Sequence, residues 1–87
     1  MTVIIKIYGS VQGVFFRRSA KEEADKLGLV GWVRNRDDGS VEVLAVGPQQ
    51  KLNEFVVWCK KGPPFAKVEN VEVDRQEAQE FDAFDIL

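Results

Sequence analysis

At 87 residues, with 45% hydrophobic and 30% charged side chains, the chain has the size and composition of one small globular domain. Its net charge of −2 argues against a nucleic-acid partner, and the absence of histidine excludes His-based catalysis and His metal ligands. Its one cysteine cannot form an internal disulfide, no apolar run could span a bilayer, and no secretory signal is recognisable, so we expect a cytoplasmic protein.

The first half of the chain predicts a strand, a helix and a hairpin. Residues 3–8 form a β-rich run with alternating apolar side chains. Residues 16–27 predict a helix, because apolar side chains recur along one helical face and Gly28 follows as a stop signal. Two strands are predicted at 29–35 and 40–46, and the Asp-Gly pair between them is typical of a hairpin turn.

The second half predicts a helix followed by strands. Gly47-Pro48 ends the third strand and begins a helix whose apolar stripe runs from Leu52 to Cys59. Residues 67–74 predict a fourth strand, with a bulge or a late start because two of its valines differ in parity. Residues 81–86 predict a short terminal strand.

The order β-α-β-β-α-β is that of the ferredoxin-like fold, the split β-α-β sandwich of the α+β class. We therefore predict one domain over residues 1–87, with an antiparallel sheet of four to five strands and two helices on one face. Right-handed crossovers make the first and second strands parallel, and the third strand fits between them. The C-terminal ends of the first and second strands then lie at one edge, about 10 Å apart, twice the interstrand spacing.

The loop of residues 9–17 connects the first strand to the first helix. Its two glycines permit backbone conformations in which successive N–H groups form an anion-binding nest. The helix N-terminus adds free donors and the positive end of its dipole, and Arg17 adds a guanidinium fork that matches phosphate oxygens. These features predict a phosphoryl-binding cradle, although spacing alone leaves open an ordinary loop with a solvated arginine. The topology also brings Asn35, at the end of the second strand, toward Arg17.

Two motifs carry a resemblance to a known family. Residues 9–17, Gly-Ser-Val-Gln-Gly-Val-Phe-Phe-Arg, resemble the first acylphosphatase motif, G-x-V-Q-G-V-x-F-R, with Ser10 where arginine is frequent. Residues 31–35, followed by Gly39, Val41 and Gly47, resemble the second motif, and Gly62-Pro63-Pro64 is similar to another stretch common in the family. The resemblance covers essentially the whole chain. It implies an α/β sandwich that hydrolyses acyl phosphates to a carboxylate and inorganic phosphate.

The same resemblance implies the roles of the site residues. It assigns phosphoryl binding to Arg17 and orientation of the attacking water to Asn35. The other loop residues assigned to phosphate binding are Ser10, Val11, Gln12, Gly13, Val14, Phe15 and Phe16. The implied partners are the acyl phosphate substrate and inorganic phosphate as product. We expect no metal, no cofactor, no nucleic acid and no membrane, and we expect a monomer.

The chemistry is compatible with these few groups. The leaving carboxylate has a conjugate-acid pKa of about 4, so it needs little protonation. Phosphoryl transfer depends mainly on positioning and on stabilising charge at the equatorial oxygens. The Asn35 amide does not titrate usefully, so it holds a water rather than accepting its proton.

Other conspicuous side chains have structural explanations. We assign packing to Cys59, Trp32 and Trp58, although Trp32 is near enough to Asn35 to border the site. We assign turn formation to Asp37 and Asp38. We expect Arg34 and Arg36 to be solvated, and the alternative for these two arginines is contact with the substrate anion.

Rival functions lack their signatures. An RNA-binding module needs stacking aromatics on its central strands, a metal chaperone needs paired cysteines, and a nucleotide-binding P-loop needs Gly-Lys-Ser/Thr. The alternative that remains is a non-catalytic acylphosphatase-like domain that binds small phosphorylated ligands or a partner.

Overall fold

Five strands and two helices make up the chain in a computed structural model that describes residues 1–87. The elements are β1 (Thr2–Ser10), α1 (Phe16–Lys26), β2 (Val30–Asn35), β3 (Val41–Val46), α2 (Gln49–Lys61), β4 (Lys67–Gln76) and β5 (Phe84–Ile86). Each predicted element is present close to its predicted boundaries. The largest difference is in the terminal strand, which begins at Phe84 rather than at residue 81.

The strands form one sheet in the order β4-β1-β3-β2-β5. The third strand lies between the first and second, as predicted, and the ferredoxin-like fold class is confirmed. The pairs β1–β3, β1–β4 and β2–β3 are antiparallel, whereas β2 and β5 are parallel. The sheet is therefore mixed rather than wholly antiparallel. The reason is that the chain reverses after β4, crosses to the opposite edge and then runs alongside β2.

Both helices cover the same face of the sheet. Alternate residues of β1, among them Ile5 and Ile7, are buried against the apolar stripes of α1 and α2. Trp58 packs between Phe16 and Phe55, with ring centroids 5.3 and 6.0 Å apart, respectively. Each fully buried large apolar side chain contributes about 1.5–3 kcal/mol, so this layer holds the helices on the sheet. The residues that both helices bury are Phe16, Ala20, Ala24, Leu52, Phe55 and Cys59.

The buried position of Cys59 confirms its predicted packing role. Burial, with a smaller contribution from the charge of Glu23, raises the pKa of its thiol well above the usual range. The thiolate is the nucleophilic form of cysteine, so this side chain is not suited to nucleophilic catalysis.

The end of β1 lies beside the predicted irregularity in β4. Tyr8 pairs with Asn70 and Gly9 pairs with Val68, so Glu69 is an extra residue that forms a bulge. Gly9 has φ 131°, and a Cβ atom there would overlap the carbonyl oxygen of Lys67. A glycine is therefore required where the loop leaves the sheet.

The hairpin between β2 and β3 is held by Asp38. Its Oδ1 accepts hydrogen bonds from the hydroxyl and the backbone N–H of Ser40, at 2.6 and 2.9 Å. These hydrogen bonds confirm the predicted turn role of Asp38, and they lower the pKa of its carboxyl group. The ordered turn fixes the end of β2, where Asn35 pairs with Val41.

Candidate active site

A cleft of about 380 Å³ lies at the sheet edge where β1 and β2 end. Its walls come from the 9–17 loop, the first turn of α1, the last residue of β2 and the terminal strand β5. The lining residues are Val11, Gly13, Phe15, Phe16, Arg17, Arg18, Asn35 and Ile86. The structure therefore brings Arg17 and Asn35 to one cleft, from two segments that are distant in the sequence.

The N-terminus of α1 lies at this cleft without a capping side chain. Its first turn contains no acidic residue, and its first helical hydrogen bond runs from the Ser19 N–H to the Phe15 carbonyl at 3.0 Å. The backbone N–H groups of the three residues between them consequently have no partner within the helix. Together with Arg17 and Arg18, these donors make this end of the cleft suitable for an anion.

Arg17 is half-buried and is held by the terminal segment. Its Nη1 donates a hydrogen bond to the carbonyl oxygen of Leu87 at 3.1 Å. Leu87 is itself fixed to β2, because its N–H donates to the Val33 carbonyl at 2.8 Å. One turn further along α1, Lys21 Nζ donates to the Phe84 carbonyl at 2.7 Å. A guanidinium has five N–H donors, so Arg17 keeps most of them available for oxygens in the cleft.

Gln12 points away from the cleft and joins the 9–17 loop to the β2–β3 hairpin. Its Nε2 donates to the carbonyl oxygens of Arg36 and Ser40 at 2.7 and 2.9 Å, which uses both amide hydrogens. The two acceptors flank the turn that directly follows Asn35. Gln12 thus fixes the distance between the two segments that supply the walls of the cleft.

The predicted loop residues divide into two groups. Five of the loop positions line the cleft, whereas the side chains of Ser10, Gln12 and Val14 do not. Arg18 and Ile86 also line the cleft, and no motif in the sequence indicated either of them. Arg18 could have been found from its place beside Arg17 in the first helical turn, but Ile86 required knowledge of which edge the terminal strand occupies.

Arg34 and Arg36 are ion-paired rather than simply solvated. The carboxylate of Glu42, whose side chain is only 8% exposed, accepts from Arg34 Nε and Nη2 at 2.7 and 2.6 Å and from Arg36 Nη1 at 2.9 Å. The Arg34 guanidinium also lies 5.1 Å from the centroid of the Trp32 ring. The side chains of Arg34 and Arg36 also keep 50% and 36% of their surface exposed, so the predicted solvation is partial, because the hairpin register places Arg34 opposite Glu42.

No group of three or more His, Cys, Asp or Glu side chains is arranged so that it could hold a metal ion. No Asp or Glu side chain lines the cleft. Neither helix is long and apolar enough to cross a membrane.

Comparison with known proteins finds similarity over the whole chain. The acylphosphatase family model matches residues 3–86. The chain is 53% identical to an acylphosphatase of Pyrobaculum islandicum, covering 93% of this chain and 87% of the relative. A crystal structure of an acylphosphatase from Bacillus subtilis matches with TM-score 0.95 and 45% identity, over 99% of this chain and 97% of that one. An acylphosphatase structure from Coxiella burnetii matches with TM-score 0.96 and 35% identity, over 99% and 90% of the two chains.

Because the Gln12 amide joins the 9–17 loop to the hairpin, we expect its replacement to lower the stability of the protein. Gln12→Glu keeps the size of the side chain but sets a carboxylate against two carbonyl oxygens. We expect the free energy of unfolding at pH 7 to fall by about 1–3 kcal/mol, the range for buried polar groups that lose their partner. Urea denaturation measures the change. The matched control is Gln79→Glu, at an exposed position before β5, which should change stability by less than about 0.5 kcal/mol. Equal stability of the two variants would show that the Gln12 amide does not join the loop to the hairpin.

Proposed function

The chain belongs to the acylphosphatase family, and on that basis we propose that it hydrolyses the carboxyl–phosphate bond of acyl phosphates to a carboxylate and inorganic phosphate. The observation that supports this proposal best is the convergence of Arg17 and Asn35 on one cleft at the uncapped N-terminus of α1. The match to the family model confirms the family that the sequence predicts, and the similar crystal structures confirm the predicted fold.

In this proposal the phosphoryl group lies between Arg17 and the backbone donors of the 9–17 loop. Arg17 supplies a positive charge and a donor fork for two phosphoryl oxygens. The free N–H groups of the first turn of α1 supply further donors that need no reorganisation during the reaction. Gly13, with φ 74° and open space beside its Cα, lets the loop backbone approach the anion closely. The loop residues whose side chains point elsewhere contribute through their backbone.

Asn35 is assigned to the attacking water. Its side chain is exposed at the cleft, and its amide offers both a donor and an acceptor. A water held there is oriented toward the phosphorus atom opposite the leaving carboxylate, and such positioning supplies much of the rate in phosphoryl transfer.

The reaction balances without an acid or a base from the protein. The water oxygen forms a bond to phosphorus, the bond from phosphorus to the acyl oxygen breaks, and its electron pair leaves with the carboxylate. Because no Asp or Glu side chain lines the cleft and the chain has no histidine, we assign acceptance of the water proton to a phosphoryl oxygen of the substrate. A carboxylate leaves readily without protonation, since its conjugate acid has a pKa of about 4.

The proposal also includes a single-domain monomer that acts in the cytoplasm without a cofactor. One buried cluster spans both helices and the sheet, which supports a single domain. The unpaired, buried Cys59 is compatible with a reducing compartment.

Replacement of Arg17 should abolish most phosphate binding. For Arg17→Ala we expect the affinity for inorganic phosphate to fall about 10- to 100-fold, the scale of lost charged hydrogen bonds. Arg17→Lys should not restore it, because an ammonium cannot form the bidentate fork. Calorimetry measures the affinity, and the rise of the melting temperature with phosphate gives a second readout. Arg75→Ala, at an exposed position on β4, is the control for loss of one positive charge. Unchanged phosphate affinity in Arg17→Ala would place the phosphate site elsewhere.

Replacement of Asn35 should separate catalysis from binding. An interaction that matters mainly in the transition state affects kcat and leaves KM nearly unchanged. We therefore expect Asn35→Ala to lower kcat by at least about 100-fold, the cost associated with lost positioning, while phosphate still binds. Asn35→Asp should not recover activity, because its carboxylate repels the phosphoryl dianion. Steady-state kinetics on acetyl phosphate measure both parameters, with the exposed strand residue in Asn70→Ala as control. A folded Asn35→Ala protein with near-wild-type kcat would contradict the assigned role.

A further inference from the structure

Glu42 is a buried carboxylate that the proposed reaction does not use. It lies on β3, the middle strand of the sheet, and its side chain is only 8% exposed. Its neighbours Val41 and Val43 belong to the core under the helices, so Glu42 lies on the opposite face. A buried ion pair is often no more stabilising than apolar side chains of similar volume. Stability alone therefore does not account for a carboxylate at this position.

The two partners of Glu42 are the residues on either side of Asn35. Its Oε1 accepts from Arg34 Nε and Nη2 at 2.7 and 2.6 Å. Its Oε2 accepts from Arg36 Nη1 at 2.9 Å. Each carboxylate oxygen thus holds one of the two arginines, and the residue between these arginines is the one assigned to the attacking water.

The alternation of side chains along an extended strand connects these ion pairs to the cleft. Arg34 and Arg36 are two residues apart, and both reach the face of the sheet that carries Glu42. Asn35 consequently points to the opposite face, where it lines the cleft beside the first turn of α1. The direction of its amide therefore depends on how firmly its two neighbours are held.

The end of β2 has little other support from the sheet. On one side Asn35 pairs with Val41 of β3. On the other side β5 pairs only with residues 31–33 of β2, so no strand lies beside Asn35 there. The side-chain bonds of the two arginines to Glu42 supply the second attachment of this strand end.

We propose that Glu42 is a positioning residue, which holds the Asn35 amide at the attacking water through the two arginines. This inference rests on the proposed hydrolysis of acyl phosphates and adds to it a residue on the far face of the sheet. Catalysis by positioning is sensitive to shifts of about 1 Å, which can cost on the order of 100-fold in rate. Phosphate binding is assigned to the other wall of the cleft, so it should not depend on Glu42.

The substitution Glu42→Gln tests this role. It keeps the size of the side chain but turns one carboxylate oxygen into an amide donor, which cannot bind a guanidinium, so one arginine is released. We expect kcat for acetyl phosphate to fall about 10-fold, while KM and the calorimetric affinity for inorganic phosphate change less than about twofold. Kinetics are measured below the melting temperatures of all variants. A merely structural role would lower the melting temperature without this separation of kcat from KM.

A double-mutant cycle shows whether Glu42 acts through Asn35. In the Asn35→Ala background the amide is already missing, so Glu42→Gln should lower kcat no further. The residual kcat of Asn35→Ala is measured at raised enzyme concentration. An equal loss of kcat in the wild-type and Asn35→Ala backgrounds would show that Glu42 acts by another route, and it would overturn the proposal.

Two further variants separate positioning from stability and from surface charge. Glu72→Gln alters an exposed carboxylate in the same row of the sheet, since Lys6 pairs with Glu42 on one side and with Glu72 on the other. It should leave kcat unchanged. Glu42→Met fills the space with an apolar side chain, which can replace the stability of a buried ion pair but cannot hold the arginines. Its kcat should stay low even where its melting temperature equals that of the wild type.

Different failures have different meanings. If the wild-type protein hydrolyses acetyl phosphate and Glu42→Gln keeps the same kcat, the positioning role is overturned while the proposed hydrolysis stands. An equal fall of kcat in Glu72→Gln, or full kcat in Glu42→Met, would also overturn it, because charge or packing would then explain the effect. If the wild-type protein does not hydrolyse acetyl phosphate, the proposed function fails and the positioning role fails with it.

Discussion

Two hydrogen bonds from the Gln12 amide hold together the two halves of the cleft. The sheet topology does the coarse positioning, since it places the ends of β1 and β2 at one edge with β3 between them. The sheet alone leaves a loop and a hairpin facing each other across that strand. Gln12 joins them by donating to carbonyl oxygens on both sides of the turn after Asn35. Because catalysis by positioning is sensitive to shifts of about 1 Å, the relation between Arg17 and Asn35 depends on this link.

The distribution of charge around the cleft is consistent with an anionic ligand in a chain with an overall negative charge. Glu42 forms ion pairs with two of the arginines that lie near Asn35, namely Arg34 and Arg36, and its carboxylate offsets one of their two positive charges. Arg17 and the free backbone donors of α1 are then the groups best placed to attract an anion. Net charge describes the long-range field of a protein, whereas binding at the proposed site depends on the donors within one turn of a helix N-terminus.

Much of the fold and part of the site could be predicted from the sequence because local patterns specify them. The helical stripes of α1 and α2, the Asp-Gly turn and the parity change in β4 each have a direct physical cause, and each was found where expected. The meeting of Arg17 and Asn35 followed from connection rules, since a right-handed crossover leaves little choice of topology.

The remaining features depend on contacts between segments that are distant in the sequence. No pattern in one of these segments indicates that it contacts the other. The sequence does not show that the terminal strand lies parallel to β2 and brings Ile86 and Leu87 to Arg17. It also does not show that the side chain of Gln12 turns toward the hairpin while its neighbours face the cleft. The left-handed conformation of Phe15, with φ 64°, was hidden because phenylalanine rarely adopts it. Predicting the pairing of Arg34 with Glu42 requires the register of the hairpin, and the sequence predicts only that a hairpin is present.

The most direct test of the central claim is the release of phosphate from acetyl phosphate in the presence of excess chelator. In the proposed mechanism, Arg17 and the backbone donors of the 9–17 loop supply binding and charge stabilisation, and Asn35 positions the water. No cluster of acidic, cysteine or histidine side chains is available to hold an ion. We predict that the protein hydrolyses acetyl phosphate at the same rate with and without the chelator. Loss of hydrolysis in chelator, with recovery on addition of one divalent ion, would contradict this mechanism.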